Sequence, residues 1–423
     1  QEKLLMGSTP FLSKEQAFAI REACGTPVYV YDEGTLEASA AAVLGFPNAF
    51  GLTARFAMKA LPTAAILRLF DRMGLYMDAG SGYEAERAMR AGIVPEHIQI
   101  TSQDLPWNLK ELVEKGCLFN ACSLRQLETY GQLFPETETC VRINPGLGSG
   151  HSNRTNVGGP SSSFGIWHQY VSQVLEVARR YGLRVTGMHT HIGSGTDPEV
   201  WLHCAQLALD IAARLPEVTR LSLGGGFKPA RMEYEDHADL EAIGNRLIPE
   251  FKAFAASQGR ELRLEIEPGA YLTANAGVML CSVTDVVDTG DEGFDFIKTD
   301  AGMNDIMRPA LYGAQHPITL FPASSRDSEH ADYLVVGHCC ESGDILSPEP
   351  GNPEGLKTRT LTRAEAGDIL VIGGAGAYCA SMAAKNYNSF PESPEVLLTK
   401  DGALNLIRRR QSMEHMLENE VLN

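Results

Sequence analysis

A lysine, two histidines, a glycine triplet and a glutamate stand at the ends of short β-rich runs of this chain, at Lys59, His189 and His191, Gly224–Gly226 and Glu267. Lys59 lies among apolar neighbours in Phe56-Ala-Met-Lys59-Ala. Desolvation disfavours an ammonium, so such a lysine is expected to have a lowered pKa and to act as a nucleophilic amine, forming a Schiff base with a carbonyl. An isolated lysine after a strand is more often a surface residue whose stem snorkels to water. The company Lys59 keeps at neighbouring strand ends reverses that reading. Glu267, in Glu267-Pro-Gly269, suits the nitrogen of a pyridinium ring: a carboxylate there keeps the nitrogen protonated, and the ring then accepts the electrons of a breaking bond to Cα. Taken alone it is equally a structural carboxylate at a rim. Gly224–Gly226 offers bare N–H groups to a phosphate, and Ser194 adds a hydroxyl, although a glycine triplet is more often a tight turn. An amine for an aldehyde, a carboxylate for a ring nitrogen and a cradle for a phosphate together point to pyridoxal 5'-phosphate.

His189 and His191 are two apart on a strand and so are expected on one face. They read either as a metal pair, which needs further His or Asp ligands at other strand ends, or as one imidazole stacked on the cofactor ring beside a packing histidine.

The elements that must position these groups are β-rich runs at 55–58, 75–78, 98–101, 118–121, 140–143, 185–190, 220–224 and 263–267, with helical spacing between them. The runs are apolar on both faces, as buried parallel strands are. Eight strands each followed by a helix predict an α/β fold, a closed (β/α)8 TIM-like barrel, with a doubly wound open sheet as the competing fold. Chemistry in such barrels gathers at the C-terminal ends of the strands. There Asp78 ends the second run, while Lys59, both histidines, the glycines and Glu267 converge on one mouth. The barrel is expected over residues 27–275. Beyond it, strand-like runs separated by Gly/Pro/Asp/Ser-rich turns predict a C-terminal all-β, barrel-like domain over 276–423, with residues 6–26 packing on it. That domain carries a second cluster: Arg308-Pro-Ala-Leu-Tyr312, Cys339-Cys340-Glu341-Ser342-Gly343-Asp344 and Gly376-Ala-Tyr378. Arg308 suits a bidentate carboxylate clamp, Cys340 a proton donor and Glu341 a partner for an ammonium. Individually, a buried cysteine is usually inert packing and a Gly-Ala-Tyr a turn with an anchored ring.

The formal net charge of −17 over 423 residues argues against nucleic acid or an anionic membrane as a partner. No apolar run reaches the ~20 residues of a bilayer span, and no signal-peptide pattern opens the sequence. Nine scattered cysteines fit a reducing compartment, so a cytoplasmic location is expected.

Together these motifs resemble the fold-type III pyridoxal-phosphate decarboxylases, the alanine-racemase-like family, and within it the diaminopimelate-specific members. The matching segments are FAMKA at Lys59, DAGSGYE at Asp78–Glu84, HTHIGSG at His189–Gly195, LGGGF at Leu223–Phe227, EPGAYLTANAG at Glu267–Gly277, MRPALYGA at Met307–Ala314, CCESGD at Cys339–Asp344 and GAYCASMAAKNYN at Gly376–Asn388. They run in family order over nearly the whole chain. The resemblance implies that Lys59 carries the cofactor and His191 stacks on its ring. It gives Asp78, Ser194, Gly225, Gly226, Gly269 and Tyr378 to the cofactor's surroundings, with Glu267 facing the ring nitrogen. It also implies that Arg308 and Tyr312 grip the distal carboxylate of the substrate, with Tyr378 beside it. Cys340, the proton donor, and Glu341, on the distal amino group, would come from the second subunit of a head-to-tail homodimer. The implied reaction is decarboxylation of meso-2,6-diaminopimelate to L-lysine and CO2, a step of lysine biosynthesis.

Two departures from the family pattern remove positive charge: Ala270 stands where Glu-Pro-Gly is usually followed by a substrate-binding arginine, and Ser162-Ser163 where Ser-Lys is common. They keep open a decarboxylase of a related substrate, such as D-lysine, D-ornithine or a natural-product intermediate. Arg308 and Tyr312 argue against it, since a diamine side chain needs no second carboxylate grip. A racemase fits Cys340 less well, a non-catalytic homologue fits the retained Lys59, Glu267 and Cys340 less well, and a metal hydrolase would hold zinc.

Overall fold

The computed structural model describes residues 11–147, 158–191, 194–327 and 329–421. A first strand, β1 (Val28–Asp32), precedes a parallel series: β2 (Leu52–Ala57), β3 (Tyr76–Ala79), β4 (Ile98–Ile100), β5 (Leu118–Ala121) and β6 (Glu138–Asn144). The short β7 (Ile166–Trp167) pairs with β6, and β8 (Arg184–His189), β9 (Arg220–Ser222) and β10 (Arg263–Ile266) complete the series. Parallel ladders join β2 to β3, β3 to β4, β4 to β5, β5 to β6, β6 to β8, β8 to β9 and β9 to β10. A further ladder joins β10 back to β2, so the sheet closes into the eight-stranded barrel. The core is the apolar inner and outer faces of these strands, with Phe56, Met77, Ile100, Val141, Met188 and Leu264 buried.

Several barrel helices begin with a side chain that accepts a free N–H of the first turn, two of them just past a strand. Ser81 accepts from Glu84 N, Ser123 from Gln126 N and Asp239 from Ala242 N. These caps fix where each chain turns off the barrel mouth.

The second unit contains β11 (Gly277–Asp288), β12 (Asp295–Thr299), β13 (Ile318–Phe321), β14 (His330–Val336), β15 (Pro348–Glu349), β16 (Asn352–Leu356), β17 (Arg359–Thr362), β18 (Ile369–Ile372), β19 (Glu395–Leu398) and β20 (Leu404–Arg408). Its main sheet is nine-stranded and mixed, in the order β17-β14-β12-β11-β1-β19-β20, with β18 joining β11 to β13. The all-β character expected of this region is present; the ladders branch at β11, whose twelve residues pair β1 and β18 along one half and β12 along the other.

One boundary differs from expectation. β1 lies between β11 and β19 in this sheet and not in the barrel, so the barrel unit begins at Ser39. Its Val-Tyr-Val-Tyr pattern is buried throughout and would suit either sheet; its partners are remote in sequence and decide the matter. The segment Pro229–Glu235 also leaves the barrel run and belongs to the β unit. The helix Lys14–Cys24, capped by Ser13 and Gln16, packs Ala17 and Ile20 onto Val28, Val278, Ile369 and Val396. Residues 6–10, expected to pack there as well, lie outside the described residues. No helix among the described residues is long and apolar enough to cross a membrane.

Candidate active site

Glu267 is the first residue after β10, buried within the barrel unit. Its Oε2 lies 2.6 Å from His189 Nε2 and accepts the Ser222 hydroxyl at 2.6 Å, while Gln99 Nε2 stands 3.5 Å from Oε1. Burial pushes this carboxyl up, but His189 by charge and hydrogen bond, then Ser222 and the Arg55 charge, outweigh it. The group is held well below the usual carboxylate range and is ionised. Arg55, on β2, pairs at 2.7 Å with the buried Glu265, which lies two residues before Glu267. Asp78 goes the other way: burial, the Glu267 charge and a hydrogen bond to Glu267 raise it well above its ordinary value, against Lys59 and Thr101. The two carboxyls are therefore driven in opposite directions, Glu267 towards its charged form and Asp78 beside it towards its protonated form.

Lys59 follows β2 in the 3-10 turn Met58–Ala60. Ala57 N donates to Pro268 O at 3.0 Å, which ties the end of β2 to the turn after Glu267. Met58 and Ala60 are buried, but Lys59 is exposed. The desolvation expected from its apolar neighbours is thus not its environment. Successive residues of a 3-10 turn point about a third of a circle apart, so the neighbours enter the core and the lysine turns away. Its charge bears instead on Asp78, Glu84 and His191. Glu84 is held by the Gly80 N–H at 2.7 Å.

His191 lies just beyond β8, which ends at His189, so the two histidines do not act as a pair. His189 serves Glu267, whereas His191 Nδ1 accepts the Gly225 N–H at 2.9 Å, which leaves its proton on Nε2. Burial and the nearby charges of Arg142, Lys59 and His189 depress His191 well below its ordinary pKa, against Glu267, so it is neutral. The Gly225 N–H, read from sequence as a phosphate donor, orients an imidazole here. Gly225 must stay bare: a Cβ would stand 2.2 Å from the Glu267 carbonyl oxygen. Gly195 N donates to Gly226 O at 2.9 Å, bringing the half-buried Ser194 beside the glycine turn; Ile192 and Gly193 of the same motif lie outside the described residues. Gly269 is buried, and its carbonyl accepts Leu272 N.

These groups fit pyridoxal phosphate. They comprise an accessible lysine amine, an ionised buried carboxylate, a neutral imidazole and a glycine turn with a hydroxyl beside it. Asp78 Oδ1, buried and without a hydrogen-bond partner among the described residues, suits a polar group of a ligand.

The β unit brings a second set together. Arg308 and Tyr312 begin and end a single helical turn, one above the other and both half-buried. Arg308 Nη1 lies 3.0 Å from His316 Nε2, and His316 Nδ1 donates to Gly373 O at 2.9 Å. His316 is buried and depressed well below its ordinary pKa by that burial and by Arg308 and Arg231, so its Nε2 is a neutral acceptor for Arg308. Tyr378, half-buried, has φ of 57° at the end of the same glycine-rich turn. Cys340 is exposed and its N–H donates to Asn388 Oδ1 at 2.8 Å; Glu341 is exposed and accepts Gly343 N at 3.1 Å. Burial pushes the neighbouring Cys339 thiol up to about 12, so Cys340 is the accessible sulfur of the two.

Sequence reasoning missed Ser222, Gln99, Arg55, Glu84, Arg142 and Arg231. Ser222, Gln99 and Arg55 are single polar residues inside apolar runs, and their inward parity near a strand end was the available signal. Arg231 lies in a loop-like Gly-Phe-Lys-Pro-Ala-Arg stretch with no such signal. The departure at Ser162 and Ser163 is locally satisfied: Ser162 Oγ accepts Phe164 N and Ser163 Oγ accepts Gln103 Nε2.

A closed (β/α)8 barrel with a lysine past β2, an ionised glutamate past β10 and a glycine turn past β9 defines the barrel class of pyridoxal-phosphate enzymes. Within that class, the family model for the pyridoxal-dependent decarboxylase, pyridoxal binding domain, matches residues 40–274, and the chain belongs to this family. It is 36% identical to diaminopimelate decarboxylase of Escherichia coli K12 over 97% of each chain. It is 36% identical to that of Streptomyces coelicolor over 94% of this chain and 90% of the other. A crystal structure of a diaminopimelate decarboxylase aligns with a TM-score of 0.91 at 36% identity, over 99% of both chains. The Helicobacter pylori enzyme complexed with L-lysine aligns at 0.82 and 27%, over 95% of this chain and 98% of that one.

Proposed function

We propose that this pyridoxal-dependent decarboxylase acts on meso-2,6-diaminopimelate and releases L-lysine and CO2. The observation that carries the substrate reading is the Arg308–His316 pair. The guanidinium is half-buried and its partner is a neutral imidazole rather than a carboxylate, so its charge remains for an acidic group of the substrate. The full-length similarity to diaminopimelate decarboxylases supports the same choice.

When bound, pyridoxal phosphate supplies an electron-accepting ring conjugated to the substrate's Cα. Lys59 would hold it through its side-chain amine, which would give way to the amine of the substrate. Glu267, kept ionised by His189, Ser222 and Arg55, holds a proton on the ring nitrogen. His191, neutral and set by Gly225, packs on the ring. Ser194, Gly226 and Tyr378 would hold the phosphate end, with Gly269 in the cofactor's surroundings. Arg308 and Tyr312 grip the distal carboxylate, and CO2 leaves from the carbon next to the reacting amine. In a homodimer with shared sites, the partner subunit's Cys340 returns a proton to that carbon and the partner subunit's Glu341 binds the distal ammonium. The enzyme works in the cytoplasm.

The departure at Ala270 favours a second reading, a decarboxylase of D-lysine, D-ornithine or another amino acid with no distal carboxylate. An assay of the purified protein with pyridoxal phosphate against meso-diaminopimelate, D-lysine, L-lysine and L-ornithine separates the two. Diaminopimelate is expected to give the highest kcat/KM, and preference for D-lysine or L-ornithine would refute the reading.

A further inference from the structure

Arg231 is a buried cation of the β unit with an unpaired guanidinium edge among the described residues. It is reached through Pro229–Glu235, the segment that leaves the barrel run, and the residue is buried to within a few per cent. Its Nε donates to Gly374 O at 2.9 Å. Its Nη2 is buried and has no hydrogen-bond partner among the described residues. A guanidinium edge removed from water and left unpaired is costly, and native structures keep such groups where a ligand completes them.

Its position relative to Arg308 is set by one turn. His316, which receives Arg308, bonds Gly373 O, and Arg231 bonds the next carbonyl, Gly374 O. Two guanidinium groups are thus hung from consecutive carbonyls of the turn that leads to Tyr378. Gly374 is part of this arrangement: φ is 59°, and a Cβ would stand 2.8 Å from Arg231 Cγ.

The charges around Arg231 do not balance. Burial, then Arg308, lower its pKa to about 9, while Cys379, Glu235 and Tyr378 act in the other direction. Glu235 is already engaged, accepting the backbone N–H groups of Arg231 at 2.7 Å and Met232 at 3.3 Å. Around the Arg231 and Arg308 guanidinium groups, with Arg359 Nη1 bonding His316 O at 3.1 Å, the one carboxylate acting on Arg231 is already occupied, so the positive charge is left in excess.

We propose that Arg231 is a specificity-determining residue which, with Arg308, forms a two-guanidinium seat in the β unit for the distal carboxylate of the substrate. The proposal rests on the diaminopimelate reading and deepens it: the chain keeps a second guanidinium for the distal carboxylate although position 270 is alanine.

The test uses the full-length holoenzyme. Wild type, Arg231→Met and Arg231→Lys are assayed with meso-diaminopimelate and with D-lysine, which lacks the distal carboxylate, while cofactor affinity is followed by visible absorbance. Arg231→Met is expected to lower the diaminopimelate to D-lysine ratio of kcat/KM on the order of 30-fold, mostly through KM, with cofactor affinity unchanged. Arg231→Lys keeps the stem and the charge but loses the planar fork. It is expected to lower the ratio by roughly 3- to 10-fold, and it keeps the test open should the Met variant fail to fold. An unchanged ratio in both variants, or equal losses on both substrates with weakened cofactor binding, overturns the proposal and makes Arg231 structural or a phosphate ligand. If wild type does not turn over diaminopimelate at all, the reading of function fails first; turnover with an unchanged ratio leaves that reading standing and sinks Arg231 alone.

Discussion

At the scale of single residues, the site depends on keeping two adjacent carboxyls in different protonation states. Ser222 donates to the charged one at 2.6 Å. A hydrogen bond to an ionised group is worth about 1.5–3 kcal/mol, so Ser222→Ala should cost roughly ten- to a hundredfold in kcat/KM if Glu267 must be ionised. Steady-state kinetics with Ser222→Ala beside Ser222→Thr, which keeps the hydroxyl, checks this. Asp78 yields a pH prediction. Its folded pKa is raised, so its contribution to stability is full below the unfolded carboxyl range and is lost as pH rises through the folded value. Asp78→Asn copies the protonated form and removes that loss. The gap between the variant's Tm and that of wild type should therefore shift in the variant's favour as pH rises from about 4 towards alkaline values. A gap that stays constant with pH would mean that Asp78 is not protonated in the fold. The strand-end positions of Lys59 and Glu267, the residues proposed to meet the cofactor, were legible in the sequence because each closes an apolar run. The residues that tune them were not, because Ser222, Gln99 and Arg55 look like ordinary interruptions of a strand.

At the scale of elements, the glycine turn after β9 fixes His191, the Glu267 backbone and the loop of Ser194 at once. Gly225→Ala would drive a Cβ to 2.2 Å from a carbonyl oxygen, and the backbone must move. Such overpacking costs about 1–3 kcal/mol, and the movement falls on the groups expected to hold the cofactor. Gly259→Ala is the control: φ is 67° with open space around the Cβ, so only left-handed strain of about 1–2 kcal/mol is added, at a helix end. Both variants should lose thermal stability, while only Gly225→Ala should also lose cofactor affinity by absorbance titration. Equal cofactor affinity in the two would remove the turn from the binding site. The order of barrel elements was legible because a buried parallel strand followed by a helix has a local signature. The allocation of β1 was not, since Val28–Asp32 reads alike in either sheet and its partners, β11 and β19, come hundreds of residues later. The same non-locality hid Arg231.

For the whole molecule, the proposed homodimer with shared sites takes Lys59 and Cys340 of one working site from different subunits. Both Lys59→Ala and Cys340→Ala homodimers should then be nearly inactive. Mixing them under conditions of subunit exchange should restore about a quarter of wild-type activity, since half the dimers are mixed and each carries one intact site. A mixture as inactive as its parents would argue that each subunit builds its site alone. All of this rests on the cofactor being carried by one lysine. The most direct measurement is borohydride reduction of the yellow holoenzyme followed by peptide mapping. The account predicts a single pyridoxyl group on Lys59, and a pyridoxyl group on another lysine, or on none, would contradict it.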